Sequence, residues 1–136
     1  MKRLLAILPA LVLAGCGAAA SEPSSVDKFQ GEQRAVAQKV EDLQDAGANN
    51  EPARICRDIL AKALVSQLEA AGADCTAEMQ KAIEDADDYA LEVTEVTVSG
   101  STATATVRRG DDDGPTQEMQ FTREGDDWRA TSLSGS

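Results

Sequence analysis

The chain has 136 residues, a formal net charge of −11, only four aromatic residues and no histidine. This length suits one domain with a modest core, and the negative charge disfavours binding to nucleic acid or to anionic phospholipid. Without histidine, the chain lacks serine–histidine triads, three-histidine zinc sites and the usual general base near neutral pH.

The first fifteen residues have the pattern of an export signal. Lys2 and Arg3 precede an apolar run over residues 4–14. A membrane-spanning helix needs about 20 apolar residues, roughly twice the length of this run. A short apolar run behind basic residues is typical of a secretory signal peptide. We therefore expect residues 1–15 to be a signal peptide, with the rest of the chain outside the cytoplasm.

The residues around the expected cleavage site are Leu13, Ala14, Gly15 and Cys16. They resemble the lipobox of bacterial lipoproteins, which is an aliphatic residue, two small residues and a cysteine. The resemblance implies cleavage before Cys16, diacylglycerol on its sulfur and often a further acyl chain on the new amine. Two or more acyl chains hold a protein stably on a membrane, so it implies anchoring at the extracytoplasmic face of the cell membrane. The alternative is a plain signal peptide with an incidental cysteine.

The chain after the signal divides into a tether and a domain. Residues 16–28 are small and polar, and we expect a flexible, lipidated tether. Residues 29–136 are expected to form a single domain. Its two cysteines, Cys56 and Cys75, are most simply a disulfide in an oxidising compartment. Metal binding is the rival interpretation, but the close cysteine or histidine pairs that zinc needs are missing.

Three helices are predicted at the start of the domain. The first covers residues 32–46, where Val36, Val40 and Leu43 recur at helical spacing, and Gly47 is expected to end it. The second begins at residues 49–52, an asparagine cap followed by proline, and a capping box predicts a break near Val65. The third is capped by Thr76. The buried face of the second helix is expected to be Ile55, Cys56, Ile59, Leu60, Ala63 and Leu64, and the third helix carries Met79, Ala82, Ile83 and Ala86.

From Tyr89 onward the apolar period changes from helical to two, which predicts strands. A parity change predicts a bulge at residues 94–95, and turns are expected at residues 99–101, 110–115 and 124–127. We predict an α+β domain in which three N-terminal helices pack on a curved antiparallel meander of about four strands. The alternating apolar residues are Leu91, Val93, Val96, Val98, Ala103, Ala105, Val107, Met119, Phe121, Trp128 and Ala130.

Trp128 is the only tryptophan and opens the last predicted strand, which we expect to run to about Leu133. Met119 and Phe121 lie on the preceding strand. We predict that the three side chains share one face of the sheet and pack under the first helix. The alternative places Trp128 at an open mouth, where it would contact a ligand.

The order of these elements resembles the cone-shaped, cystatin-like fold of nuclear transport factor two and its polyketide-cyclase-like relatives, in a version with fewer strands. More narrowly, the chain is similar to small lipoproteins of high-GC bacteria. That similarity rests on Phe29, Gly31, Asp42, Leu43, Ala46, Ile55, Cys56, Cys75, Arg123, Glu124, Gly125, Trp128 and Arg129.

The resemblance leaves two classes of function open. Enzymes of the cone fold place an aspartate base and tyrosine or aspartate donors on the inner wall. Here the only tyrosine is Tyr89, at a helix–strand junction, and an apolar cone without a placed base cannot abstract a proton. We therefore expect a non-catalytic lipoprotein, without cofactor, that binds a small apolar ligand or an envelope protein. The alternatives are a cone-fold enzyme acting on a hydrophobic exported substrate and a homodimer paired through its sheet.

Two acidic clusters are candidate sites. Residues 111–114 are three aspartates and a glycine, without the alternate spacing and distant glutamate of a calcium loop. We expect a solvated hairpin loop there and no metal. Asp85, Asp87 and Asp88 crowd the end of the third helix, where the helix dipole disfavours them. A frayed helix end is favoured over a docking patch for a basic partner.

Overall fold

The computed structural model describes residues 25–110 and 113–133. The predicted signal peptide, Cys16 and most of the predicted tether lie outside these residues, as do the first two aspartates of the acidic loop. In the part of the chain that is described, no helix is long and apolar enough to span a membrane.

The domain consists of helices followed by one sheet. A 3-10 helix covers Ser25–Lys28, and a π-helix over Ile55–Ile59 continues directly from α2. The strands form a four-stranded antiparallel sheet in the order β1-β2-β3-β4. The α+β class and the four-stranded antiparallel sheet are thereby confirmed. The remaining elements are α1 (Gly31–Ala48), α2 (Pro52–Arg54), α3 (Lys62–Ala70), α4 (Cys75–Asp85), β1 (Leu91–Ser99), β2 (Thr102–Arg109), β3 (Thr116–Glu124) and β4 (Asp127–Ala130).

The packed structure begins inside the segment predicted to be a tether. Val26, in the 3-10 helix, is buried in the core. The Oγ atom of Ser25 accepts a hydrogen bond from the amide of Val93 on β1 at 3.4 Å. The chain therefore enters the domain along the edge of β1.

Helix α1 buries Val36 and Val40 as predicted, but Gly47 does not end it. The helix continues to Ala48, and Asn50 takes the left-handed conformation with φ of 56°. Gly47 instead lies against the ring of Tyr89, where a Cβ atom would be 3.2 Å from Cδ1. The glycine allows the helix to pass close to the aromatic ring.

The described part of the chain has four α-helices rather than the predicted three, because the predicted second helix is divided at Leu60 and not near Val65. Leu60 is extended and forms an isolated parallel bridge with Ala130, and the Ala61 amide donates to the Ala130 carbonyl at 2.8 Å. This segment covers the free edge of β4, and an uncovered edge would leave backbone groups unpaired. The helical period alone could not reveal this tertiary contact.

Two predicted helix caps are also wrong. The N-cap of α2 is Glu51, with no side-chain capping bond, rather than an asparagine. The N-cap of α4 is Asp74, whose carboxylate accepts from the Ala77 amide at 2.9 Å, rather than Thr76. The cap lies earlier because Cys75 already belongs to α4.

The sheet follows the predicted alternation closely. Its register shifts between Val93 and Glu95, which confirms the bulge. Strand β4 ends at Ala130, so it is shorter than predicted. The inward side chains join those of α1 and the π-helix in one core; the largest fully buried ones are Trp128, Phe121, Ile59, Leu60, Met119, Val36, Val40, Val93 and Val107.

The two cysteines of the domain are paired as predicted. The Sγ atoms of Cys56 and Cys75 are 2.04 Å apart, and the residues are separated by 19 positions. The bond joins the π-helix to the first residue of α4. It thereby holds α4 against the rest of the helical layer.

Candidate ligand-binding pocket

A pocket of about 160 Å³ opens at one end of the sheet. It lies between the C-terminal half of α1, helix α4, the first residue of β1, the last residue of β2 and the start of β3. A cavity of about 150 Å³ holds a benzene ring, so this pocket suits a single ring or a short branched chain. Its apolar lining is Leu43, Ile55, Met79, Ala82, Ile83, Ala86, Leu91, Met119 and Leu133.

Three polar side chains at the pocket form hydrogen bonds with the backbone of the segments that line it. The Oε1 atom of Gln44 accepts from the Leu91 amide at 2.7 Å. The hydroxyl of Tyr89 donates to the carbonyl of Ile83 at 2.8 Å. Gln117 Nε2 donates to the Leu133 carbonyl at 3.4 Å. These bonds connect α1, α4, β1, β3 and the C-terminal segment around a common space, so they keep the pocket open.

Two charged residues, Arg109 and Asp88, complete the lining. Asp88 Oδ1 accepts from the Ala90 amide at 2.8 Å, and no described cation lies within ion-pair distance of this carboxylate. Among residues 25–110 and 113–133, Arg109 is the one arginine without a carboxylate partner. The paired arginines are Arg34, Arg54, Arg57, Arg108, Arg123 and Arg129.

The described lining offers few groups for proton transfer. Among the described residues of the lining, Asp88 is the only carboxylate, and Tyr89 already donates its hydroxyl proton to a backbone carbonyl. A general base or acid needs a partner that adjusts its pKa or receives its proton. In the described ranges, no group of three or more cysteine, aspartate or glutamate side chains is arranged to hold a metal ion.

A second polar group, the Trp128 cluster, consists of Glu32, Arg123 and Trp128 and lies at the other end of the sheet. The Trp128 indole nitrogen donates to Glu32 Oε2 at 2.7 Å, and Arg123 forms an ion pair with the same carboxylate. The guanidinium carbon of Arg123 is 5.3 Å from the indole centroid. The indole bond, followed by the Arg123 bond, holds the pKa of Glu32 below its ordinary value.

Trp128 is 2% exposed, which confirms its predicted place in the core. It does not line the pocket, so the alternative position at an open mouth is wrong. Met119 lies between these regions, since it belongs to the core and also lines the pocket.

The sequence-based site residues fall in different places. Cys56 and Cys75 form a disulfide outside the pocket lining, and Cys16 is not among the described residues. Of Asp85, Asp87 and Asp88 at the end of α4, only Asp88 lines the pocket. Sequence reasoning missed Gln44, Arg109 and Gln117. Strand register was the available signal for Arg109, because this residue pairs with Leu91 at the start of β1.

Comparisons of the chain with protein-family models, with curated proteins and with solved structures found no match. A function for the chain therefore rests on the geometry and chemistry of its own residues.

Proposed function

We propose that this chain is a lipid-anchored envelope protein that binds a small, mainly apolar ligand without transforming it. The observation that carries the proposal is the pocket of about 160 Å³ at one end of the sheet, with its mainly apolar lining. Concave pockets with apolar walls and a few oriented polar groups are the usual form of small-molecule sites.

The fold supports a relationship to the cone-shaped, cystatin-like architecture. Helix α1 lies over one face of an antiparallel meander whose first strand bulges at Val93–Glu95, and α4 packs against the other helices. A bulge bends a strand and increases its twist, which favours a concave inner face. Four strands make this a reduced and shallow version of the cone, so the ligand space is small.

A cone-fold enzyme acting on a hydrophobic substrate is the alternative, and the pocket favours it less. An enzyme of that kind needs a base and a hydrogen-bond donor aimed at the same substrate atom. Asp88 has one oxygen engaged by a backbone amide, and the Tyr89 proton is engaged by Ile83. Tyr89 would have to lose its bond to Ile83 before its proton could reach a substrate, so it does not form a base–donor pair with Asp88 in this structure.

The membrane anchor rests on the lipobox-like residues 13–16. We expect wild-type protein to fractionate with membrane and to carry a lipid mass on Cys16, because two acyl chains make membrane release slow. Cys16→Ser should release the protein from membrane or block its processing. Membrane association of the variant, together with an unmodified wild-type cysteine, would refute the anchor.

The pocket is tested with a neutral apolar probe, 3-methylbutan-1-ol. Ala82 is exposed and lines the pocket, so Ala82→Phe places a ring in the ligand space without disturbing the core. Wild type should gain thermal stability as the probe is added, because a ligand that binds only the folded state stabilises it. Ala82→Phe should lose this gain.

Ala63→Phe is the matched control, since Ala63 is an exposed alanine on α3 that does not line the pocket. This variant should respond to the probe as wild type does. An equal response from Ala82→Phe would place binding elsewhere, and the absence of any response in wild type would contradict the proposed function.

A further inference from the structure

We infer that the pocket selects a zwitterion with a short branched apolar side chain, that is, a free apolar α-amino acid of about the size of leucine. This inference rests on the proposed function and assigns the class of ligand. It depends on two charged side chains of opposite sign at the pocket, Arg109 and Asp88.

The backbone brings these two charges close together. Arg109 ends β2 opposite Leu91, and the amide of the following Gly110 donates to the carbonyl of Ala90 at 3.0 Å. The amide of the same Ala90 donates to Asp88 Oδ1. A Cβ atom at Gly110 would lie 3.4 Å from Asp88 Oδ2, so this carboxylate is next to the residue that follows Arg109.

The two charges nevertheless do not form an ion pair. No nitrogen of Arg109 lies within 4.0 Å of an Asp88 oxygen, whereas every other described arginine has a carboxylate partner. The gap leaves a donor group and an acceptor group facing the same space. A ligand that carries both an ammonium and a carboxylate can complete both partners at once.

Ligands with one charge satisfy only half of this arrangement. A carboxylate would pair with Arg109 but would be repelled by Asp88. An ammonium would pair with Asp88 but would be repelled by Arg109. A neutral molecule would gain neither interaction. Gln44 adds a further preference, because its Nε2 has no hydrogen-bond partner among the described residues and can donate to a carboxylate.

The apolar lining sets the size of the side chain. A volume of about 160 Å³ accepts a leucine-like side chain, while the backbone charges of the ligand stay near Arg109 and Asp88. The lining residues Leu43, Met79 and Met119 are unbranched at Cβ and include two flexible methionines, which adapt to ligand shape.

Isothermal titration calorimetry on the purified full chain in detergent, with a detergent-only blank, tests the inference. The four probes are leucine, 4-methylpentanoate, 3-methylbutylamine and 3-methylbutan-1-ol, which share one branched chain and differ only in charge. Each is titrated to about 10 mM, where even a millimolar site fills. Leucine should bind tightest, by about fivefold over either singly charged probe, as expected for one partly exposed ion pair.

Two variants assign the charges. Arg109→Gln should weaken leucine and 4-methylpentanoate by about fivefold and leave 3-methylbutylamine no weaker. Asp88→Asn should weaken leucine and 3-methylbutylamine and leave 4-methylpentanoate no weaker. Lys81→Gln and Asp87→Asn are matched controls, because they change the net charge equally at exposed residues that do not line the pocket.

Different failures have different meanings. Binding of 4-methylpentanoate or 3-methylbutan-1-ol as tightly as leucine would overturn the zwitterion while leaving an apolar site in place. Equal loss of leucine binding in the control variants would also overturn it, since general charge would then explain the effect. If none of the four probes binds, both this inference and the proposed function are wrong.

Discussion

The Trp128 cluster and the pocket lie at opposite ends of the same sheet, and they differ in whether their polar side chains are paired with one another. In the Trp128 cluster, Glu32 accepts from the indole and pairs with Arg123, so charges and donors satisfy one another. At the pocket, the side chains of Gln44 and Tyr89 bond to backbone, while the side chain of Arg109 has no carboxylate partner among the described residues. Satisfied networks rigidify a structure, whereas unpaired charges at an open surface remain free to bind. One end therefore stabilises the domain, and the other is available to a ligand.

Helix α1 connects the two ends. Glu32 lies in its first turn and Gln44 near its last, so the same element fixes β4 at one end and the start of β1 at the other. Changes in the Trp128 cluster should consequently affect stability, and changes at the pocket should affect binding. Variants at each end of the sheet test this division.

Removal of the indole should cost the most stability. Trp128→Ala should lower the free energy of unfolding by about 3–5 kcal/mol, because it empties a large core volume and removes the indole donor to Glu32. Urea unfolding followed by circular dichroism gives the value. Trp128→Phe should cost less, since it keeps most of the packing. Near-normal stability of Trp128→Ala would contradict the core assignment.

Reduction of the disulfide should cause the second-largest loss of stability. Breaking the Cys56–Cys75 bond should cost about 3 kcal/mol, as expected from loop closure over the 19-residue separation. The measurement compares urea midpoints with and without dithiothreitol. A Cys56→Ser, Cys75→Ser double variant should resemble reduced wild type and should not respond to the reductant. A reductant effect that persists in this variant would assign the loss to another cause.

A smaller loss is expected from the pocket wall. Tyr89→Phe removes the hydrogen bond to the Ile83 carbonyl and keeps the ring against Gly47. We expect a cost of about 1 kcal/mol in urea unfolding. A cost as large as that of Trp128→Ala would contradict the division between the two ends.

Acid should weaken the Trp128 cluster by the smallest amount. The pKa of Glu32 is lowered from its ordinary value of 4.5, first by the Trp128 indole and then by Arg123. Its contribution is therefore fully present above pH 4.5 and is lost as pH falls through the lowered pKa. Glu32→Gln should flatten this part of the pH–stability curve, measured by urea unfolding between neutral and acidic pH. An unchanged curve would show that Glu32 is not responsible.

The strands were more predictable than the helices. Alternation placed Ala103, Ala105 and Val107 inward and located the bulge after Val93, because period two and register depend on local sequence. The break at Leu60 depends on its pairing with Ala130, seventy positions away in sequence. Helical periodicity contains no information on such a contact.

The pocket was less predictable than the fold. Its residues come from α1, the π-helix, α4, three strands and the segments that follow α4 and β4, and its volume depends on the distance between the helices and the sheet. Gln44 and Gln117 have no motif around them, and Arg109 follows another arginine that is paired. Arg109 has no carboxylate partner among residues 25–110 and 113–133, and this observation, which indicates its role, is visible only in three dimensions.

Nuclear magnetic resonance on the full chain tests the central claim most directly, because each end of the sheet carries its own probe. Met79 and Met119 line the pocket and report on it through labelled methyl groups. The single tryptophan, Trp128, contributes one indole N–H signal from the other end. On addition of 3-methylbutan-1-ol, both methyl signals should shift in wild type but not in Ala82→Phe, and the indole signal should stay in place. Methyl signals that do not move, or an indole signal that moves with them, would contradict the assignment of binding to the pocket alone.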